Sequence, residues 1–153
     1  MSQGVETKIQ NSFQTVLPAT PNRCVIIMDK NLHGGLLANA IAVIALTVGQ
    51  RHPVLVGENL IDASDFAHPG LIPTGIPMLC ASQKELAEIR QKAFDAGCDV
   101  VDFPVEGQQT KNYADFMQMT AQITTKDMKY TGIAIIGQKK PISKIVNGLE
   151  LMK

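Results

Sequence analysis

Cys24-Val25-Ile26-Ile27-Met28 is an unbroken apolar run that stops at Asp29. A strand with one face in water alternates apolar and polar side chains. A run without alternation belongs to a strand covered on both faces. The run leads into Lys30-Asn31-Leu32-His33-Gly34-Gly35 and then into an apolar stretch from Leu36 to Val48, ended by Gly49. This reads as strand, glycine-bearing turn and helix. The helix is apolar on almost every side, so it is predicted to pack between the sheet and something else, such as a second subunit. Asn39 and Thr47 interrupt it, and it is shorter than the about 20 residues of a membrane span.

The rest of the chain repeats the alternation of strand and helix. Pro53-Val54-Leu55-Val56-Gly57 reads as a short strand, and residues 57–75 as a long excursion with a small hairpin, rich in Pro and Gly. Ile76 to Cys80 is the next strand. Ser82-Gln83-Lys84-Glu85 matches a capping box, in which Ser and Glu each satisfy a backbone N–H of the first helical turn. Leu86, Ile89, Ala93 and Phe94 fall on one face of that helix, and Gly97 supplies its left-handed end. Asp99 to Phe103 is a strand, and Thr110 or Asn112 caps a helix carrying Tyr113, Phe116, Met117 and Ala121. Gly132 to Gly137 is a strongly apolar strand. Pro141 suits the first turn of a last helix, Ile142 to Asn147, stopped by Gly148. The expected architecture is α/β: three layers, α/β/α, around a mixed, mostly parallel sheet. Residues 1–21, with Phe13, Val16 and Leu17 as anchors, are expected to form an N-terminal arm, and residues 22–153 a single domain.

Composition narrows the function classes. Net charge is zero, so no overall field draws the chain to nucleic acid or to a membrane. Six lysines (Lys126, Lys129, Lys139, Lys140, Lys144 and Lys153) against Asp127 and Glu150 make the C-terminal end basic. That is a solvated surface or a phosphate-facing one. Cys24, Cys80 and Cys98 form no CxxC pair, and His33, His52 and His68 have no ligand spacing, so neither a metal nor a cofactor is expected. Free thiols fit a reducing cytoplasm. No basic segment followed by an apolar block opens the chain, so no signal peptide is expected.

His33, Gly34 and Gly35 sit between a strand and a helix, where α/β proteins place ligands. The unpaired N–H groups of a helix start favour an anion there, although the glycines also serve simply to permit a tight turn. Asp29 ends the strand and either lines the same cleft or caps the turn. Asn39 is expected to be a buried amide that hydrogen-bonds a neighbouring loop or faces the cleft.

Several blocks, in order, resemble the type-two peptidyl-tRNA hydrolases of archaea and eukaryotes. These are Cys24 to Gly49 with Ala38-Asn39-Ala40, Ser82 to Thr110, Tyr130 to Gly137 and Val146 to Leu151. The chain is more similar still to a bacterial family of that superfamily, the domain of unknown function numbered 2000. The resemblance rests on the Asn-Ala helix, His68-Pro69-Gly70, Val101-Asp102-Phe103 and Tyr130-Thr131-Gly132, and covers about residues 23–153. It implies a mixed sheet flanked by helices and a homodimer. It also implies an active-site loop at Val105-Glu106-Gly107-Gln108-Gln109-Thr110. The hydrolases carry a Lys where this chain has Gly35, and an Asp-Ala-Gly-Arg-Thr loop of which Gly107 matches the glycine while the Asp and Arg are missing at their places. His33 can replace the Lys as a weaker, pH-dependent partner, and Glu106 can replace the Asp if the loop shifts by one residue.

Two function classes follow. One is a ligand-binding or regulatory module that keeps the fold and has lost the Lys and Asp. The other is a hydrolase acting on an ester or amide of peptidyl-tRNA or a related small substrate. In the hydrolase, His33, Glu106 and Thr110 would be catalytic, with Asp29, Gly34, Gly35, Asn39, Gln108 and Gln109 binding the ligand. Pure nucleic-acid binding rests on the lysines alone, without interleaved aromatics. Both leading classes require the glycine turn and the 106–110 loop to meet at one rim of the sheet.

Overall fold

A computed structural model describes residues 20–153. Most of the expected N-terminal arm, residues 1–19, lies outside the described residues. The centre is a five-stranded sheet in the order β5-β6-β1-β4-β7. Its strands are β1 (Arg23–Asp29), β4 (Met78–Ala81), β5 (Asp99–Pro104), β6 (Tyr130–Gly137) and β7 (Glu150–Leu151). Among the described residues four helices accompany it: α1 (Gly34–Arg51), α2 (Gln83–Asp95), α3 (Tyr113–Ala121) and α4 (Lys139–Ile145). The excursion carries a hairpin of two short strands, β2 (Leu60–Ile61) and β3 (Ala67–His68).

The two-faced character of β1 is borne out, and β6 shares it. Cys24, Ile26 and Met28 pack with Ala40, Ile44 and Val48 of α1 and with Ala134 and Ile136 of β6. Val25 and Ile27 face the other way, onto Leu86, Ile89 and Ala93 of α2, Ile142 of α4, and Ile133 and Ile135 of β6. Odd and even positions of the same strands thus build separate cores under helices on opposite faces.

The sheet is mixed, but it is not mostly parallel. β1 pairs parallel with β4, whereas β6 runs antiparallel to both β1 and β5, and β7 antiparallel to β4. The alternation of strand and helix does point β1, β4 and β5 in one direction. β6 then enters between β5 and β1, because the segment after β5 leaves and returns at the same rim: Tyr130 pairs with Pro104. This strongly apolar strand takes an interior position in the sheet, where both its faces are covered.

Other expectations are corrected locally. Pro53–Leu55 is a 3-10 turn rather than a strand. The last helix begins at Lys139 and ends at Ile145, ahead of Gly148. β7 is an edge strand that no periodicity announced. Within the single chain, α1 is covered on its sheet face alone, and its outer face is the one expected to meet something else, such as a second subunit. Ala40, Ile44 and Val48 are its only fully buried residues, and Leu46 is 79% exposed. By length and composition α1 could cross a membrane, yet its buried stripe sits on the sheet.

Local signals hold elsewhere. Ser82 Oγ accepts from the Glu85 N–H at 3.2 Å, and Glu85 accepts from the Ser82 N–H at 3.1 Å, closing the capping box of α2. Asn112 Oδ1 accepts from the Asp115 N–H at 2.9 Å and caps α3. Gly97 has the positive φ of +80° that ends α2.

Candidate functional site

β1, β4 and β5 all end at the rim where β6 begins. Gln83, the first residue of α2, ties three of these ends together. Its Nε2 donates to Asp29 Oδ2 at 2.8 Å and to the Tyr130 carbonyl at 2.6 Å, and its Oε1 accepts from the Tyr130 N–H at 3.0 Å. The other oxygen of Asp29 accepts from the Asn31 N–H at 2.9 Å. Asp29 therefore caps the turn after β1, and both of its oxygens are engaged.

The glycine turn and the glutamine loop meet. Gln108 Nε2 donates to the Leu36 carbonyl in the first turn of α1, at 2.9 Å. Gly107 makes the approach possible, since a Cβ there would lie 2.2 Å from the ring of Phe103 and 2.7 Å from that of Phe116. Within the loop, Thr110 Oγ1 donates to the Glu106 carbonyl at 3.1 Å, and the Gln109 N–H donates to the same oxygen at 3.0 Å. Glu106 is 8% exposed, and its Oε2 has no hydrogen-bond partner. Burying a carboxylate oxygen without a donor is costly, so this atom is the most conspicuous polar feature of the rim.

The remaining sequence candidates are solvent-facing. His33 is exposed at the N-cap of α1, and its side chain caps nothing. Gly34 has a φ of +61°, as the turn demands, and the space around Gly35 is open. Asn39 is exposed, not buried. It lies on the face of α1 away from the Ala40-Ile44-Val48 stripe, so its amide is hydrated and needs no protein partner. Among the thiols, Cys24 is buried, and that burial pushes its pKa up to about 11, so it is an inert core residue. Among the described residues no three His, Cys, Asp or Glu side chains come together as a metal site.

One concavity among the described residues is a feature the sequence did not announce. A groove of about 590 Å³ lies between α1 and α3 with β5 as its floor. Val43 and Thr47 of α1 form one wall, Tyr113 and Met117 of α3 the other, and Phe103 the floor. Phe116 links floor to wall, with ring centroids 6.1 Å from Phe103 and 6.0 Å from Tyr113. Thr120 donates its hydroxyl back to the Phe116 carbonyl at 2.8 Å. Asp102 borders the groove, but its carboxylate is held by Arg90 Nε at 2.6 Å. The alternation of β5 turns that carboxylate to the opposite sheet face, toward α2. The 106–110 loop joins this floor directly to the α3 wall. The available signal was the apolar excess of α1: one stripe satisfies the sheet, and Val43 and Leu46 remain outside it.

At the opposite rim, Asp99 accepts from Arg51 Nε and Nη2, both at 2.8 Å, and lies 2.6 Å from His52 Nε2. These residues and Cys98 border a second pocket of about 470 Å³. Arg51's hydrogen bonds hold the Asp99 carboxyl below its usual range; His52 adds to this and partial burial opposes it.

The model of a family described as "Protein of unknown function (DUF2000)" matches residues 22–153. Among solved structures, the chain is similar to Atu0240 of Agrobacterium tumefaciens strain C58, itself a protein of unknown function. The TM-score is 0.77 at 19% identity, over 86% of this chain and 97% of that one. At that identity the likeness concerns the fold. No curated protein matches.

Proposed function

Because the chain belongs to that family of unknown function, we propose from its geometry that it is a binding module for a small, neutral, largely apolar molecule held between α1 and α3. The observation that carries this reading is the groove itself. Its volume falls within the about 300–1,000 Å³ typical of ligand pockets, and its lining is apolar and aromatic with few polar groups. Thr47 offers a hydroxyl at the wall, and no unpaired charge lines the floor, so a charged ligand would be desolvated without compensation. The sequence blocks shared with type-two peptidyl-tRNA hydrolases support a wider reading: a module of that superfamily in which Gly35 replaces the Lys and the loop lacks the Asp. Three free thiols support action in the cytoplasm.

The test is a thermal-shift series with neutral apolar compounds. A ligand at about 100 times its Kd adds about 2.7 kcal/mol of stability. Val43→Lys and Met117→Lys each place a charge in the groove from an exposed position and are expected to abolish the shift. A shift that survives both variants would remove the groove from the reading.

A second reading has one observation in its favour: the unpartnered, buried Glu106 oxygen in a loop that touches the first turn of α1. In a hydrolase, such a carboxylate would orient a water for attack on an ester. Peptidyl-tRNA turnover that drops about a hundredfold or more in Glu106→Gln and falls in His33→Ala would support it. Absence of turnover by the unaltered protein would dismiss it.

A further inference from the structure

The outer face of α1 is exposed and apolar. We propose that two copies of this chain pair through it, α1 antiparallel to α1 about a two-fold axis at Ala42, so that α3 meets α3 and the two grooves open onto each other. The pairing stands on this face and does not depend on a ligand in the groove.

From Gly34 to Gln50 the helix carries no charged side chain. Much of it nevertheless faces outward: Leu46 is 79% exposed, Leu36 58% and Val43 43%. A solvated helix face carries charge, whereas an exposed apolar one marks an interaction surface. A charged partner would lose hydration here and gain no opposite charge. The matching chemistry is a second uncharged apolar face, and each copy of the chain supplies one. A membrane matches less well. Helices that lie in a bilayer surface carry Lys and Arg along a polar face, whereas the other face of α1 is packed on the sheet. The cation that ends α1, Arg51, is held by Asp99 through two hydrogen bonds of 2.8 Å.

The relief of the face is self-complementary. Ala40, Ile44 and Val48 point to the sheet. On the opposite side of the helix stand Gly35, Ala38, Ala42, Leu46 and Gly49. Their spacing reads the same in both directions from Ala42, as an antiparallel two-fold contact requires. Leu46 is the single large side chain among small ones. About that axis it falls on the partner's Ala38, and Gly49 falls on the partner's Gly35. A knob thus meets a hollow at both ends, and the helices approach closely. Antiparallel dipoles also attract. A parallel pair would set Leu46 against Leu46 and hold the helices apart.

The area needed brings in α3. A stable pair buries about 800 Å² on each partner, and the outer face of α1, about 27 Å long and about 10 Å wide, supplies about a third of that. The remainder comes from beside the helix. A two-fold axis across antiparallel helices leaves each neighbour of α1 on its own side, so α3 lies opposite the partner's α3. Tyr113 and Met117 are 75% and 60% exposed there. Asp115, the single charged residue of α3, falls on the far side of that helix from both. Leu36 shares a flank of α1 with Val43, and the axis brings it over the Thr47 end of the partner's groove.

The experiment uses the full chain, with Leu46→Lys as the disrupting variant. The control is Phe94→Lys, an exposed apolar position on α2 at the other face of the sheet. Sedimentation velocity over a dilution series is expected to show a dimer of the 16.6 kDa chain for the unaltered protein and the control. Leu46→Lys is expected to raise the dissociation constant at least about tenfold. Added cysteines then give the direction. Ala42→Cys is expected to form an interchain disulfide on oxidation, as is a mixture of Ala38→Cys with Leu46→Cys. Ala38→Cys or Leu46→Cys alone is expected to form none beyond the unaltered protein. Eight helical residues set each apart from its counterpart by about 12 Å along the axis, and a disulfide needs Cα atoms within about 7 Å. A monomer at every concentration, or a dimer that Leu46→Lys leaves intact, would overturn the proposal. Disulfides in all three variants taken singly would do so too, because they mark a parallel pair. A monomer that floats with phosphatidylcholine vesicles, and no longer does so as Leu46→Lys, would assign the face to a membrane instead. The expected dimer without any thermal shift by apolar compounds would sustain the pairing and refute the ligand reading, and a thermal shift in a monomer would do the reverse.

Discussion

Gly70 shows how a single residue constrains the long excursion. A Cβ there would lie 1.9 Å from the Gly57 carbonyl oxygen and 2.7 Å from that of Glu58. The Gly57 N–H donates to the Leu71 carbonyl at 2.8 Å, so the two ends of the excursion cross backbone to backbone. Gly70→Ala is expected to force them apart and cost about 1–3 kcal/mol, read as a lower urea midpoint. Two residues before it, His68 sits against a carboxylate of the same excursion. Its Nε2 lies 2.9 Å from Asp62 Oδ2, and Asp62 Oδ1 accepts from the Ser64 and Phe66 N–H groups. His33, by contrast, was legible as an N-terminal turn residue because two glycines follow it. Its exposure was not, since a cap position says nothing about which side chains close over it. Asn39 shows the same gap: being polar in an apolar helix reads as burial only if the helix is enclosed.

At the scale of elements, short-range chemistry was readable. The Ser82–Glu85 box and the Asn112 cap act within three residues; the box sits where the sequence put it, and Asn112 is the one of the two candidates, Thr110 and Asn112, that caps α3. Ser82→Ala removes one cap acceptor and is expected to cost about 1 kcal/mol, a fall of several degrees in Tm for a chain of this size only if α2 unfolds with the domain. Retention of the full Tm would show instead that α2 frays independently. The helix α1 was legible in its position and misleading in its packing. Its apolar side chains exceed what one sheet face can cover, and the excess, Leu46 and Leu36 above all, faces outward. The pentapeptide at Pro53 has strand-like composition, but Pro53 starts a 3-10 turn and Leu55 alone drops into the core.

At the scale of the molecule, Asp99 ties the end of α1 to the start of β5. A carboxyl whose folded pKa is depressed contributes stability that is present above its unfolded pKa, about 3.9, and is lost as pH falls through the lower folded value. Acid unfolding of the unaltered protein should therefore steepen below about pH 4. Asp99→Asn should be less stable at neutral pH and show a flatter loss in that window, measured by urea titrations at stepped pH. An identical pH slope in both would show that the link contributes nothing to the fold. The sequence by itself determined what local spacing can encode: a first strand covered on both faces, a second that is strongly apolar, capped helices between them, and the direction of β1, β4 and β5. The insertion of β6 between β5 and β1, the edge strand β7, the meeting of Gln108 with Leu36 and the groove between α1 and α3 were decided only by the tertiary structure. Periodicity reports which face of an element is apolar. Which neighbour covers that face depends on contacts between residues dozens of positions apart, and no local pattern carries them.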